Sequence, residues 1–200
     1  MATIPDDIDS DDDLIAAVDA VGAGLQEISH YLNANPEAKG RIRFPRGYLG
    51  TVGKHNKRYS WIEKEVLKRN LSYQYIFYDV LRWMSNRTDI SGTASEMIYK
   101  HAIVVVSSIA EGLLAAAAKQ LDYAEGKFPK RLKHLLTDEI ITQKLHDELT
   151  WMWDVRQAVH VHIVNDLEWE KYKVTDARRA SKAVKELEES LDLHFSIPPF

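Results

Sequence analysis

An arginine and two histidines lie close together in the segment TWMWDVRQAVHVHIVND, residues 150–166. Arg156 carries a guanidinium that can neutralise the charge developing on phosphate oxygens during phosphoryl chemistry. His160 and His162 carry imidazoles that can take up or release a proton near neutral pH. These groups are a sufficient minimum for metal-free RNA cleavage, because the ribose 2′-hydroxyl is the nucleophile and the protein need not supply one.

The element that carries these residues is predicted to be a helix over residues 142–163. At about 100° per residue, Arg156 and His160 lie on one stripe of this helix, and His162 lies about 120° away from it. The other members of the stripe are apolar, namely Leu145, Leu149, Met152, Trp153, Val159 and Ile163. A guanidinium on such a stripe needs a partner, because an unpaired charge is very costly to bury.

Three kinds of partner can meet that need: a carboxylate on another helix, a second subunit, or a bound anion such as phosphate. Glu111, in the apolar run of a different helix, is the internal candidate. A buried pair between Arg156 and Glu111, with His160 hydrogen-bonded beside it, is the structural interpretation. The catalytic interpretation uses the same arginine and histidine, and their spacing alone does not decide between the two.

Motifs for several other chemistries are missing from the sequence. It has no glycine-rich nucleotide cradle and no His-Glu-x-x-His pair, and the absence of cysteine excludes thiolate ligands and a cysteine nucleophile. His160 and His162 would need a third metal ligand, for which His146 and Glu148 are only weak candidates. We therefore expect no metal and no cofactor.

The remaining sequence has helical periodicity and no alternating strand pattern, which predicts an all-α helical bundle. Ser10 begins one helix, and the capping-box pattern from Ser60 to Glu63 is expected to begin or restart another. Three parts are expected: an acidic flexible tail over 1–10, an N-terminal helical extension with a basic loop over 11–90, and a helical core over 91–195.

The apolar segment 102–118 is the one stretch that raises the question of a membrane. Its length, about 17 residues, is the lower limit for a membrane span. It also carries Ser107, Ser108 and Glu111, so we predict a buried core helix and no membrane association. The acidic N-terminal residues do not resemble a secretory signal, and we expect a cytoplasmic protein.

Charge is unevenly distributed along the chain. Residues 1–20 contain seven aspartates and no lysine or arginine, whereas residues 39–69 contain ten basic residues. This asymmetry indicates either a surface that binds a polyanion or a solvated surface that the acidic tail partly neutralises. If the partner is RNA, the candidate backbone contacts are Arg41, Arg43, Arg46, Lys54, Lys57 and Arg58.

The region from about residue 95 to residue 193 resembles the HEPN superfamily, a group of compact α-helical domains. The family signature is an arginine, four to six further residues and a histidine, often with a polar residue directly after the arginine. Gln157 follows Arg156, and His162 comes after five intervening residues, whereas His160 comes after three. The flanking segments HAIVVVSSIAEGLLAAAAK and VTDARRASKAVKELEESL resemble the preceding core helix and the last helix of the family.

The resemblance implies a metal-independent endoribonuclease, of the toxin or phage-defence kind, whose Arg/His site lies at a homodimer interface. Arg156, His160 and His162 would be catalytic and Gln157 would assist binding. We expect RNA as substrate and an antitoxin as a further partner. We also expect a homodimer built around the helix of residues 142–163, whose apolar stripe includes Met152 and Trp153. The alternatives are a non-catalytic HEPN-like domain that binds RNA or nucleotide, and a helical regulatory or interaction protein.

Overall fold

The computed structural model describes residues 4–5, 7–41, 43–45, 47–123, 126–157, 168 and 170–196. Every regular element in these ranges is helical, which confirms the prediction of an all-α protein. The elements are α1 (Asp11–Ala34), α2 (Val52–Asn56), a short 3₁₀ helix (Lys57–Tyr59), α3 (Glu65–Arg87), α4 (Gly92–Gln120), α5 (Phe128–Thr137), α6 (Gln143–Gln157) and α7 (Val174–Ser196).

The chain forms two compact units, Met1–Pro45 and Arg46–Phe200. Helix α1 is the regular element of the first unit in the part of the chain that the structure describes. Its N-terminus is capped by Ser10, whose hydroxyl oxygen accepts a hydrogen bond from the backbone N–H of Asp13 at 3.1 Å. At its C-terminus, the side-chain amide of Asn35 donates to the carbonyl of Tyr31.

Helix α4 is the central element of the second unit, and α3, α5, α6 and α7 pack against it. It is long and apolar enough to cross a membrane by length and composition, but 67% of its most apolar window is buried inside the protein. Its buried side chains include Ile103, Ile109 and Leu113. We therefore assign α4 to the core of a helical bundle, as the sequence predicted.

Helix α3 approaches α4 closely at Gly112. A Cβ atom at this position would lie 2.8 Å from Cδ2 of Leu71, so only glycine fits without displacing that side chain. The capping-box pattern at Ser60–Glu63 does not begin this helix, because α3 begins at Glu65. Ser60 instead follows the 3₁₀ helix, where Tyr59 is completely buried.

Candidate functional site

Arg156 lies in the last turn of α6 and contacts side chains from two elements. Its Nη2 lies 2.7 Å from Oε2 of Glu111 on α4. Its guanidinium also lies over the ring of Trp153, 4.7 Å from the ring centroid. Trp153 in turn stacks on Phe128 of α5 at 4.4 Å. The guanidinium is thus held by an ion pair on one side and by a ring anchored in the core on another.

The Arg156–Glu111 pair, which the sequence offered as one of several alternatives, is present, but it is not buried as that alternative required. The side chains of Arg156 and Glu111 are 28% and 39% exposed. A guanidinium has five N–H donors, and one carboxylate oxygen at 2.7 Å occupies only part of them. Arg156 therefore combines a fixed position with access to solvent, so that it can contact an anion without losing Glu111.

His160 and His162 lie outside the residues that the structure describes, and so does the predicted helical extension beyond Gln157. Gln157 itself is the exposed last residue of α6. The structure thus defines the start of the Arg–His motif and leaves the choice between the two histidines as a prediction. The expected absence of a metal also stays a prediction. Within the described ranges, no group of three or more histidines and acidic residues could hold a metal ion.

Met152 and Trp153 do not form the exposed interface expected from the sequence. Met152 is 0% exposed within a single chain. Trp153 is partly buried and packs on Phe128. Both side chains are therefore occupied by the core of one copy, because the apolar stripe of α6 faces α4, α5 and α7. The homodimer built around the helix of residues 142–163 stays a prediction.

The six basic residues proposed for RNA contact are distributed over two units. Arg41 and Arg43 belong to the first unit, Arg46 lies outside the described residues, and Lys54, Lys57 and Arg58 lie on α2 and the 3₁₀ helix. Lys54 and Lys57 are exposed. Arg58 has internal partners: its Nη1 lies 3.7 Å from Oε2 of Glu188, and it covers the ring of Tyr75.

Sequence reasoning missed a second charged site, around Glu188 on α7. Oε1 of Glu188 accepts hydrogen bonds from the hydroxyls of Tyr59 and Tyr75, each at 2.7 Å. Burial raises the pKa of the Glu188 carboxyl, and the two hydroxyl donors oppose that rise. An acidic residue beside the buried Leu187 and Leu191 was the available signal, because a carboxylate there needs donors.

His55 is a buried histidine close to this cluster. Its Nε2 lies 3.3 Å from Oδ2 of Asp79, and its ring stacks on Tyr75 with the centroids 5.2 Å apart. Neither ring nitrogen makes a hydrogen bond of good geometry. Burial lowers the pKa of His55, although the neighbouring Asp79 favours its charged form. Gly50 donates its backbone N–H to the same Asp79 oxygen at 2.8 Å.

A positively charged groove lies between α3, α4 and α7, and we call it the basic groove. Four cationic residues line it, Arg82, Arg178, Lys182 and Lys185, and no carboxylate does so among the described lining residues. Its volume is about 360 Å³, and its floor contains Leu81, Ile98 and Tyr99. The basic residues of α7 recur at positions 178, 182 and 185, a helical spacing that the sequence reasoning did not use.

Comparisons with models of protein families, with curated proteins and with solved structures found no match to this chain.

Proposed function

We propose that this protein is a metal-independent endoribonuclease of the HEPN type, acting as a homodimer. The observation that supports the proposal is the state of Arg156. Its guanidinium is held by Glu111 and Trp153, is 28% exposed, and lies directly before the segment that carries both histidines. A cation that is both fixed and accessible is suited to stabilising charge in a transition state.

In the proposed reaction, the ribose 2′-oxygen attacks the adjacent phosphorus while the bond from phosphorus to the 5′-oxygen breaks. One histidine, His160 or His162, removes the proton of the 2′-hydroxyl or protonates the departing 5′-oxygen. Arg156 stabilises the additional negative charge of the phosphorane-like state. The products are a 2′,3′-cyclic phosphate and a 5′-hydroxyl, and no cofactor takes part.

The substrate in this proposal is single-stranded or looped RNA, whose backbone is held by basic side chains. The basic groove offers four cations, of which Lys182 and Lys185 lie 3.9 Å and 3.3 Å from the carboxylates of Glu186 and Glu189. Lys54 and Lys57 offer two more exposed cations. Contacts to phosphates release counterions, so binding should weaken steeply as the salt concentration rises. A cytoplasmic toxin or defence role, with an antitoxin that restrains it, remains part of the same proposal.

A second candidate is a helical interaction or regulatory protein in which Arg156 is structural. The observation that favours it is the carboxylate oxygen of Glu111, which lies 2.7 Å from the guanidinium. An ion pair with an internal partner is a sufficient reason for an arginine at this position. The two candidates differ in what happens to RNA, since only the first requires turnover.

The experiment is a cleavage assay on the full chain, with a set of labelled RNAs in the presence and absence of EDTA. We expect cleavage that EDTA leaves unchanged and that stops when the 2′-hydroxyl at the cut site is replaced by hydrogen. His160→Ala or His162→Ala should lower the rate by roughly 10²–10⁴-fold, the usual contribution of a proton-transfer group. His101→Ala, which alters an exposed histidine on α4, is the matched control.

Three results would contradict the proposal: no cleavage of any RNA, cleavage that depends on a metal, or full activity of both histidine variants. Binding of RNA without cleavage would favour the non-catalytic alternative.

A further inference from the structure

Helix α1 carries a row of large apolar residues that the first unit leaves open to solvent. Leu14, Val18, Val21, Leu25 and Ile28 are between 38% and 60% exposed. Leu32 continues the row and is only partly exposed, beside Gly40. An exposed apolar row of this length on one helix is unusual for a protein surface and marks an interaction site.

The spacing of this row is that of a coiled coil. From Leu14 to Leu32 the intervals alternate between four and three residues, which is a repeat of seven with two core positions. Val18, Leu25 and Leu32 occupy the first core position, and Leu14, Val21 and Ile28 occupy the second. We call this row, from Leu14 to Leu32, the seam. A period of 3.5 residues keeps such a narrow row facing another helix, whereas a helix that packs on a globular core presents a wider apolar stripe.

The composition of α1 indicates that this helix depends on a partner. Gly22 and Gly24 lie in its middle, and each costs about 1 kcal/mol of helix stability relative to alanine. Several β-branched residues lower its intrinsic stability further. In proteins, helices owe most of their stability to the packing of an apolar face. The glycines also flank the seam, where their small size lets a second helix come close.

We propose that α1 pairs with α1 of a second copy of this chain as an antiparallel coiled coil. The direction follows from charge. Asp11, Asp12 and Asp13 lie in the first turn of α1, and Lys39 and Arg41 follow its C-terminus. Antiparallel pairing brings the acidic end of each helix toward the basic segment of the other, whereas parallel pairing would place the aspartates of both copies together.

An antiparallel register exists that pairs apolar residues throughout. When Leu14 lies opposite Leu32 of the second copy, Val18 lies opposite Ile28 and Val21 lies opposite Leu25. Two-fold symmetry repeats each of these pairings, so every core layer from Leu14 to Leu32 is apolar. No layer contains a buried charge that would need a partner.

The charged residues of α1 also argue against a membrane as the occupant of this row. They are all acidic, namely Asp11, Asp12, Asp13, Asp19 and Glu27. Helices that lie on membrane surfaces are rich in lysine and arginine on the polar face, because cellular membranes carry anionic lipids. The aspartates of α1 repel a second copy of this chain less than they repel an anionic membrane, because Lys39 and Arg41 of the second copy lie toward these aspartates in the antiparallel pair.

This pairing goes beyond the proposed nuclease activity and does not depend on it. It supplies the apolar contact area that Met152 and Trp153 do not offer, since both are occupied within one chain. The pairing can therefore hold in a protein that cleaves no RNA, and its loss is measured without any substrate.

The first test is the mass of the full chain in solution by sedimentation or light scattering. The unmodified chain should be a dimer at micromolar concentration, and Val18→Asp with Leu25→Asp should raise the dimer dissociation constant about 100-fold or more. Ala16→Asp with Ala23→Asp places the same charges on the opposite face of α1 and should leave the dimer unchanged. An unmodified chain that is monomeric, or a dimer that survives the seam variant, would overturn the proposal.

The second test uses the absence of cysteine from the natural sequence. Leu14→Cys mixed with Leu32→Cys should form a disulfide-linked mixed dimer, and Leu14→Cys alone should not link to itself. Self-linking of Leu14→Cys would overturn the antiparallel direction. A seam variant that is monomeric like the parent and unfolds at a lower temperature would show that α1 packs within its own chain, which also overturns the proposal.

Discussion

The second unit has two charged sites that use similar residues in different surroundings. Glu188 is 11% exposed, and its carboxylate accepts two tyrosine hydroxyls while Arg58 lies at 3.7 Å. Glu111 is 39% exposed and contacts one arginine, Arg156. The first carboxylate is enclosed and fully partnered, whereas the second leaves both itself and its arginine partly in solvent.

This difference assigns different roles to the two sites. The Glu188 cluster joins the 3₁₀ helix, α3 and α7 through Tyr59, Tyr75 and Glu188 itself, so its contacts stabilise the fold. The Arg156 site joins α4 and α6 through a single exposed ion pair, which contributes little to stability in water. Under the proposed function, its arginine contacts the RNA phosphate and contributes little to the fold.

Glu188→Ala should destabilise the protein by about 1–3 kcal/mol, the range for leaving buried polar groups without a hydrogen-bond partner. The variant leaves the hydroxyls of Tyr59 and Tyr75 buried without their acceptor. Chemical denaturation measures the loss. Glu189→Ala removes the neighbouring carboxylate, which is exposed and lies 3.3 Å from Lys185, and serves as the control. Equal effects of the two variants would show that the Glu188 cluster is not structural.

The stability of the protein should fall as the pH decreases below about 6.5, the ordinary pKa of histidine. Burial lowers the pKa of His55, so the unfolded chain binds a proton before the folded chain does. The stability due to neutral His55 is therefore present above pH 6.5 and is lost as the pH falls toward the lowered value. Replacing His55 by glutamine should reduce the slope of unfolding free energy against pH, whereas His101→Gln should not. Equal slopes for the parent and both variants would contradict this prediction.

Glu111→Gln should have the smallest effect on stability, about 0.2–1 kcal/mol, because the pair is exposed and solvent screens it. Thermal or chemical denaturation of this variant beside Glu188→Ala compares the two sites directly. A loss as large as that of Glu188→Ala would mean that the Arg156 pair carries the fold, and the second candidate function would then be preferred.

Local patterns were sufficient to predict the fold class and the buried helix α4, and to name Glu111 as the internal candidate partner of Arg156. Each depends on periodicity within one helix or on the need to pair a charge near an apolar stripe. The start of α3 was predicted wrongly: a 3₁₀ helix occupies Lys57–Tyr59, directly before Ser60, and α3 begins only at Glu65.

Other features required contacts between distant residues. The Glu188 cluster brings together α7, α3 and the 3₁₀ helix, which no local pattern predicts. The apolar stripe of α6 was assigned to a dimer interface, yet its own chain covers Met152. A stripe on a helix shows that something must cover it and does not show whether the cover is the same chain or a second one. Within the second unit α6 packs against α4, α5 and α7, whereas the first unit leaves the row on α1 uncovered.

The most direct test of the central claim measures RNA cleavage and unfolding on the same preparation of Arg156→Ala. If Arg156 acts on the phosphate, cleavage should fall by at least about 10²-fold, as for the loss of a transition-state donor. The unfolding free energy should change by no more than about 1 kcal/mol, as for an exposed pair. Arg156→Ala that cuts RNA as well as the parent, or that unfolds the chain, would contradict the account.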